Sequence, residues 1–234
     1  MFLQVCAGFA NRLRATVSGI CGAEDLNLPL VISWPVEWAC AATFTDLFEP
    51  VPHVEFCSSL NNRARMCLSP ADWEQERGRG EIVIKSYGQF HQSDPARWRR
   101  VLQSLRPRLE FLERVRSCDV GIHIRRTDNR TSCEKSPTAV FIAEMRKYPN
   151  DTTFFVATDD VREWDALVSA FSEERLIRVT TDYSRNTLEG IHAAFVDFLC
   201  LASCGEILGS AGSSFSEMAA AYGTKALRII KPTV

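Results

Sequence analysis

The chain has 234 residues, 46% of them apolar and 24% charged, enough to bury a core in one large or two small domains. A net charge of −2 gives no bulk attraction to nucleic acid or to a membrane surface, so neither is expected as a partner. No apolar run approaches the ~20 residues of a membrane span, and the N-terminal MFLQVCAGF lacks the basic and long apolar regions of a secretory leader.

In chain order, the pattern predicts a strand at 2–6, a helix at 10–24 after a glycine loop, and strands at 29–33 and 82–85. Shorter helical stretches fall at 41–48 and 71–75. Asp94-Pro95 then opens a helix whose Trp98, Val101, Leu102 and Leu105 share a face. Arg106-Pro107-Arg108 interrupts it, and a second short helix runs towards residue 117, where the boundary between lobes 1–117 and 118–234 is set.

The second half alternates more regularly. Strands are predicted at 120–124, 153–157, 176–180, 206–209 and 226–230, with helices at 161–171, 187–202 and 214–222. Ser136-Pro137 reads as the cap and first turn of another helix. Five strands separated by helices define a parallel doubly wound α/β sheet, and the first half is of the same kind.

Nine cysteines are many, but their number is odd, their spacing is irregular and no CxxC pair occurs. They read as reduced, mostly buried thiols. The chain is therefore expected to be cytoplasmic, the alternative being a lumenal catalytic fragment of a secretory-pathway enzyme.

In a parallel sheet, ligands bind at the carboxyl ends of strands. Three segments put polar residues there. In G-I-H-I-R-R-T-D at 121–128, His123 and Arg125 point the same way, and a pair of arginines, Arg125 and Arg126, suits a diphosphate. A structural ion pair with Asp128 or another carboxylate is the competing reading. The strand at 153–157 ends on Asp159 and Asp160, which either accept hydrogen bonds from a ribose or base, or simply cap the next helix. The D-x-D pattern of metal-dependent transferases is absent there, and no metal or resident cofactor is expected. The third segment, G-S-A-G-S-S-F-S at 209–216, is a hydroxyl-rich turn entering a helix, a ready anion site or merely a set of caps. No phosphate-loop G-x-x-x-x-G-K-[ST] and no G-x-G-x-x-G is present. Near the start, G-F-A-N-R-L-R at 8–14 lets Gly8 turn tightly and gives Asn11 an amide to aim into a cleft.

Together these segments resemble the GDP-fucose fucosyltransferase superfamily of core α1,6-, rhizobial nodulation and protein O-fucosyltransferases. H-I-R-R-T-D at 123–128 carries most of the resemblance; F-F-V-A-T-D-D at 154–160, Asp197 and S-S-F-S at 213–216 carry the rest. The resemblance implies a GT-B fold of two Rossmann-like lobes, an acceptor-side first lobe, and an inverting, metal-independent transfer from GDP-fucose to a glycan or protein acceptor. It further implies that Arg125, assisted by Arg126, stabilises the leaving diphosphate. His123 and Asp197 would contact guanosine, Asp159 and Asp160 would shape its pocket, and Ser213 and Ser214 would hold phosphate. Asp128 and Phe215, in the same blocks, count as donor-binding. The α1,6 enzymes carry a lysine after T-D, where Asn129 stands here, and the nearest acid, Glu134, is displaced by one position. Glu134 is the candidate general base, with Asn11 as an orienting group. Two alternatives remain: a transferase of another GDP-sugar, and a nucleotide-sugar-binding module without turnover.

Overall fold

The computed structural model describes residues 1–59, 64–181 and 184–232. The chain forms two compact units, Met1–Arg108 with Arg185–Ile191, and Leu109–Ser184 with His192–Val234. The sequence-derived division at residue 117 differs because the short helix after Pro107 belongs to the second unit. There Phe111 stands edge-on to His192 and Phe195, ring centroids 5.0 Å from each.

In the first unit, β1 (Phe2–Val5), β2 (Leu30–Ser33), β3 (Val54–Cys57), β4 (Arg65–Met66) and β5 (Val83–Ser86) form one sheet in the order β3-β2-β1-β5-β4. Every pairing is parallel. β3 and β4 carry no strong strand signal: they lie at the sheet edges, and their side chains are partly or fully exposed. Helix α1 (Phe9–Asp25) packs on the sheet through small residues. A Cβ on Gly19 would sit 2.5 Å from Leu3 Cδ2, so a larger residue there would require the Leu3 side chain to shift. α2 (Phe44–Leu47) and α3 (Pro70–Glu76) begin with capping boxes, Thr43 with Asp46 and Ser69 with Asp72. Asp94 caps α4 (Pro95–Ser104), accepting the Arg97 N–H at 2.8 Å.

In the second unit, α5 (Leu109–Leu112) precedes β6 (Val120–Ile124), β7 (Phe154–Thr158), β8 (Leu176–Ile177), β9 (Glu206–Ser210) and β10 (Ala226–Ile230). Their order is β10-β9-β6-β7-β8, all parallel, with Ile122 opposite Val156 on one side and Leu208 on the other. All five residues of the central β6 are buried, which its unbroken apolar run requires. The helices are α6 (Arg130–Lys135), α7 (Thr138–Met145), α8 (Val161–Ala170), α9 (Leu188–Ser203), which belongs to this unit from His192 onward, and α10 (Ser214–Gly223). Phe141, Met145, Trp164 and Leu167 cover β6 and β7. Among the described residues no helix is long and apolar enough to cross a membrane.

Ser136 does not cap α7. Its hydroxyl donates to Ile230 O at 2.5 Å and accepts the Ala211 N–H at 2.9 Å, fastening the ends of β9 and β10 to the start of α7. Residues 130–135, too polar to read as an element, form α6 because Asn129 accepts the Ser132 N–H at 3.0 Å as its N-cap.

Candidate functional site

The chain leaves β6 towards β7 and β8 on one side, then returns to lay β9 and β10 on the other. The crevice where strand order reverses therefore opens between the carboxyl ends of β6 and β9. Arg125 follows the first end, and Ser210 through Ser214 follow the second. The two are joined directly: the Arg125 N–H donates to Ser210 Oγ at 3.0 Å, and Ser210 Oγ donates to His123 O at 3.3 Å.

Asp159, just past the end of β7, organises the arginines. One oxygen accepts the Arg126 N–H at 2.7 Å; the other takes the Arg125 guanidinium and the Thr127 hydroxyl. The second face of the Arg125 guanidinium meets Asp128, whose side chain is 51% exposed against 15% for Asp159. The site thus has a charged fork between one shielded and one solvated carboxylate.

Arg126 differs from its neighbour. Its Nε donates to Glu163 Oε1 at 2.8 Å, and its Nη2 to Glu163 Oε2 at 3.3 Å and to Thr138 Oγ1 at 3.0 Å. Its Nη1 donates to Arg125 O at 2.9 Å. Every guanidinium nitrogen is engaged inside the protein, whereas the Arg125 guanidinium meets the partly exposed Asp128. Glu163 was not singled out in the sequence. Its only signal is its place in the first turn of α8, where an acid is also favoured by the helix dipole.

Asp160 is the N-cap of α8, accepting the Arg162 N–H at 3.0 Å, and its carboxylate pairs with the Arg162 side chain. That pairing holds its pKa below the ordinary range. The capping reading therefore accounts for Asp160 and not for Asp159.

The turn after β9 is built for close approach. Gly212 has φ +69°, and its carbonyl accepts Asn129 Nδ2 at 3.0 Å, while Ser132 Oγ donates to Ala211 O at 2.7 Å. Ser213 is buried and makes no side-chain cap bond to α10, which starts at Ser214. His123 lies under Phe215, ring centroids 5.0 Å apart. Burial, reinforced by Arg125 and Arg126, pushes the His123 pKa down to about 3, so its ring is neutral. Its Nδ1 has no hydrogen-bond partner among the described residues, nor has Oδ1 of Asp197 on α9. Burial, opposed by Arg114, holds the Asp197 carboxyl well above the usual range.

Arg125, Asp128, Asp159 and Ser210 are thus brought into direct contact, with His123 on the same strand and Phe215 over it. Glu134 is not among them: it sits on α6 in an exposed pair with Arg130, Nε to Oε1 2.6 Å. Asn11 lies in the first turn of α1, in the first unit. Beside it, Arg12 is wholly buried and its contacts were not legible in the sequence: Nε donates to Ala7 O at 2.8 Å, Nη1 to Pro35 O at 2.5 Å and Nη2 to Glu37 Oε1 at 2.7 Å. Among the described residues no three His, Cys, Asp or Glu side chains are grouped to hold a metal ion.

Two parallel α/β units with these strand orders define a GT-B-like fold. No protein-family profile matches the chain, and no curated protein matches it by sequence. Solved structures do. NodZ α-1,6-fucosyltransferase from Bradyrhizobium, soaked with GDP-fucose, superposes with a TM-score of 0.67 at 18% identity over 94% of this chain and 92% of its own. POFUT1 in its apo form gives a TM-score of 0.63 at 10% identity, covering 98% of this chain and 97% of its own. A mutant of Arabidopsis thaliana FUT1 in complex with GDP gives 0.65 at 11% identity, over 99% of this chain and 70% of its own. The chain has the fold of these fucosyltransferases.

Proposed function

We propose that the protein is a glycosyltransferase that moves fucose from GDP-fucose to a hydroxyl of a glycan or protein acceptor, with inversion and without a metal ion. The observation that carries this reading is Arg125, a guanidinium at the switch point of the second sheet, beside Ser210 and the serine turn that opens α10. Support comes from NodZ and POFUT1, which share the fold and were solved with GDP-fucose.

In such a transfer the acceptor oxygen bonds to C1 of fucose while the bond from C1 to the β-phosphate oxygen breaks. The electron pair leaves with GDP, and the acceptor proton passes to a base. Negative charge grows on the β-phosphate, where a preorganised guanidinium is most effective. Asp159 keeps Arg125 oriented, and the solvated Asp128 is the partner the diphosphate replaces. Ser213, Ser214 and the first N–H groups of α10 hold phosphate oxygens. Neutral His123 and Asp197, each with an unused polar atom, serve the guanosine, with Phe215 as an apolar wall. Glu134 is the proposed base. Glu134→Gln should leave GDP affinity unchanged while transfer falls by roughly 10²- to 10⁴-fold. Nine free thiols favour a reducing, cytoplasmic setting.

Calorimetry with GDP and UDP in EDTA tests the donor. GDP should bind more tightly than UDP, and chelation should not weaken it. Preference for UDP, or GDP binding that vanishes in EDTA, contradicts the proposal.

A further inference from the structure

The turn that carries Arg125 is set by groups lying behind it. It leaves β6 through Arg125, Arg126, Thr127 and Asp128, and Thr127 has φ +20°, a conformation that a β-branched residue adopts only under constraint. One constraint is Asp159, which takes the Thr127 hydroxyl, the Arg125 guanidinium and the Arg126 N–H. The other is Arg126 itself. Its carbonyl accepts the Asn129 N–H at 2.9 Å, and its Nη1 turns back to donate to Arg125 O at 2.9 Å.

The guanidinium of Arg126 is in turn held by side chains from two helices. Glu163, in the first turn of α8, accepts its Nε at 2.8 Å and its Nη2 at 3.3 Å. Thr138, the first residue of α7, accepts Nη2 at 3.0 Å and donates the same hydroxyl to Glu163 Oε2. Arg126, Glu163 and Thr138 thus close a ring of hydrogen bonds around a buried ion pair. Such a ring is stiff, because groups shielded from water have no equally good partner to exchange for. It transmits the positions of α7 and α8 to the backbone of Arg125.

We propose that Glu163 and Thr138 are positioning residues for the transfer: acting through Arg126, they hold the constrained turn in the arrangement that presents the Arg125 guanidinium to the diphosphate. This rests on the transferase reading above. The role has a kinetic signature. A long arginine side chain on a loosened turn still swings to meet GDP in the ground state. The transition state is more demanding, since the guanidinium must stand in place before charge builds on the leaving oxygen. Loosening the ring therefore lowers turnover while sparing GDP affinity.

The test uses Thr138→Val, which removes the hydroxyl and keeps the shape, Thr138→Ser, which keeps the hydroxyl, and Glu163→Gln. Each is compared with wild type by GDP calorimetry and by the rate of GDP release from GDP-fucose with water as acceptor. In that reaction a water oxygen bonds to C1, the bond from C1 to the β-phosphate oxygen breaks with its electron pair leaving on GDP, and the water proton passes to solvent. Thr138→Val and Glu163→Gln should bind GDP at the wild-type stoichiometry and within about threefold of its affinity. Their kcat should fall roughly tenfold or more with KM little changed, and Thr138→Ser should restore it. A merely structural role would instead lower GDP stoichiometry and kcat in the same proportion. Should Glu163→Gln fail to fold, the two Thr138 variants decide. The inference is overturned if Thr138→Val turns over as wild type does, if kcat falls only in step with the GDP-binding fraction, or if Thr138→Ser is no better than Thr138→Val. A wild type that neither binds GDP nor releases it from GDP-fucose sinks the transferase reading, and this inference with it.

Discussion

Arg126 and Glu163 form a buried, forked ion pair, with Nε to Oε1 at 2.8 Å and side chains only 10% and 11% exposed. The pair ties the end of β6 to the first turn of α8 and thereby sets the carbonyl of Arg125, which accepts Arg126 Nη1. Glu163→Ala leaves a guanidinium buried without its carboxylate and should destabilise the protein by about 3–5 kcal/mol. Urea unfolding measures this. Replacing both residues with apolar ones of similar volume should recover much of the loss, and a double variant no better than Glu163→Ala would contradict the pairing.

His123 and Asp197 should oppose each other in the dependence of stability on pH. The unfolded chain protonates His123 near 6.5, whereas the folded value is about 3. Its contribution is therefore full above about pH 6.5 and is lost as pH falls towards 3. Asp197 is raised above its ordinary 3.8, so its contribution is full below that value and is lost as pH rises through the folded pKa. Guanidinium unfolding from pH 4 to 8 should find Asp197→Asn more stable than wild type at pH 8 and progressively less so towards pH 4. His123→Asn should remove the loss at the acid end. An unchanged profile in both variants would mean that neither side chain is desolvated.

The thiols give a third prediction. Burial pushes Cys67 and Cys200 up to about 12 and Cys204 to about 11, which leaves almost no thiolate at neutral pH. Cys133 is the one exposed cysteine. A thiol reagent should label Cys133 first in the native protein and all nine cysteines after denaturation of material from its native source. Several intact disulfides in that material would argue for an oxidising compartment instead.

The second unit was legible because its strands are short continuous apolar runs bounded by turns, and a parallel sheet buried on both faces demands that composition. β3 and β4 were not, since edge strands with partly exposed side chains carry no clear period. Arg125 could be placed from its position after β6 alone. The separate fate of Arg126 could not, because Glu163 and Thr138 reach it only through tertiary folding. The two acids after β7 looked alike in sequence, yet one organises the arginines and the other caps a helix, a distinction set by the direction of one side chain. Ser136 next to Pro137 reads locally as a cap, and only the neighbouring strand ends reveal what its hydroxyl holds.

GDP titration of Arg125 variants tests the donor site most directly. In the proposed transfer, Arg125 meets the diphosphate before and after the glycosidic bond breaks, and its contribution grows as charge builds on the leaving group. Arg125→Ala should weaken GDP binding and lower turnover by about 10²-fold or more. Arg125→Lys should recover little, because an ammonium cannot reproduce the fork that Asp159 orients. If Arg125→Ala binds GDP and turns over as wild type does, the arginine is a structural partner of Asp128 and Asp159, and the donor site lies elsewhere.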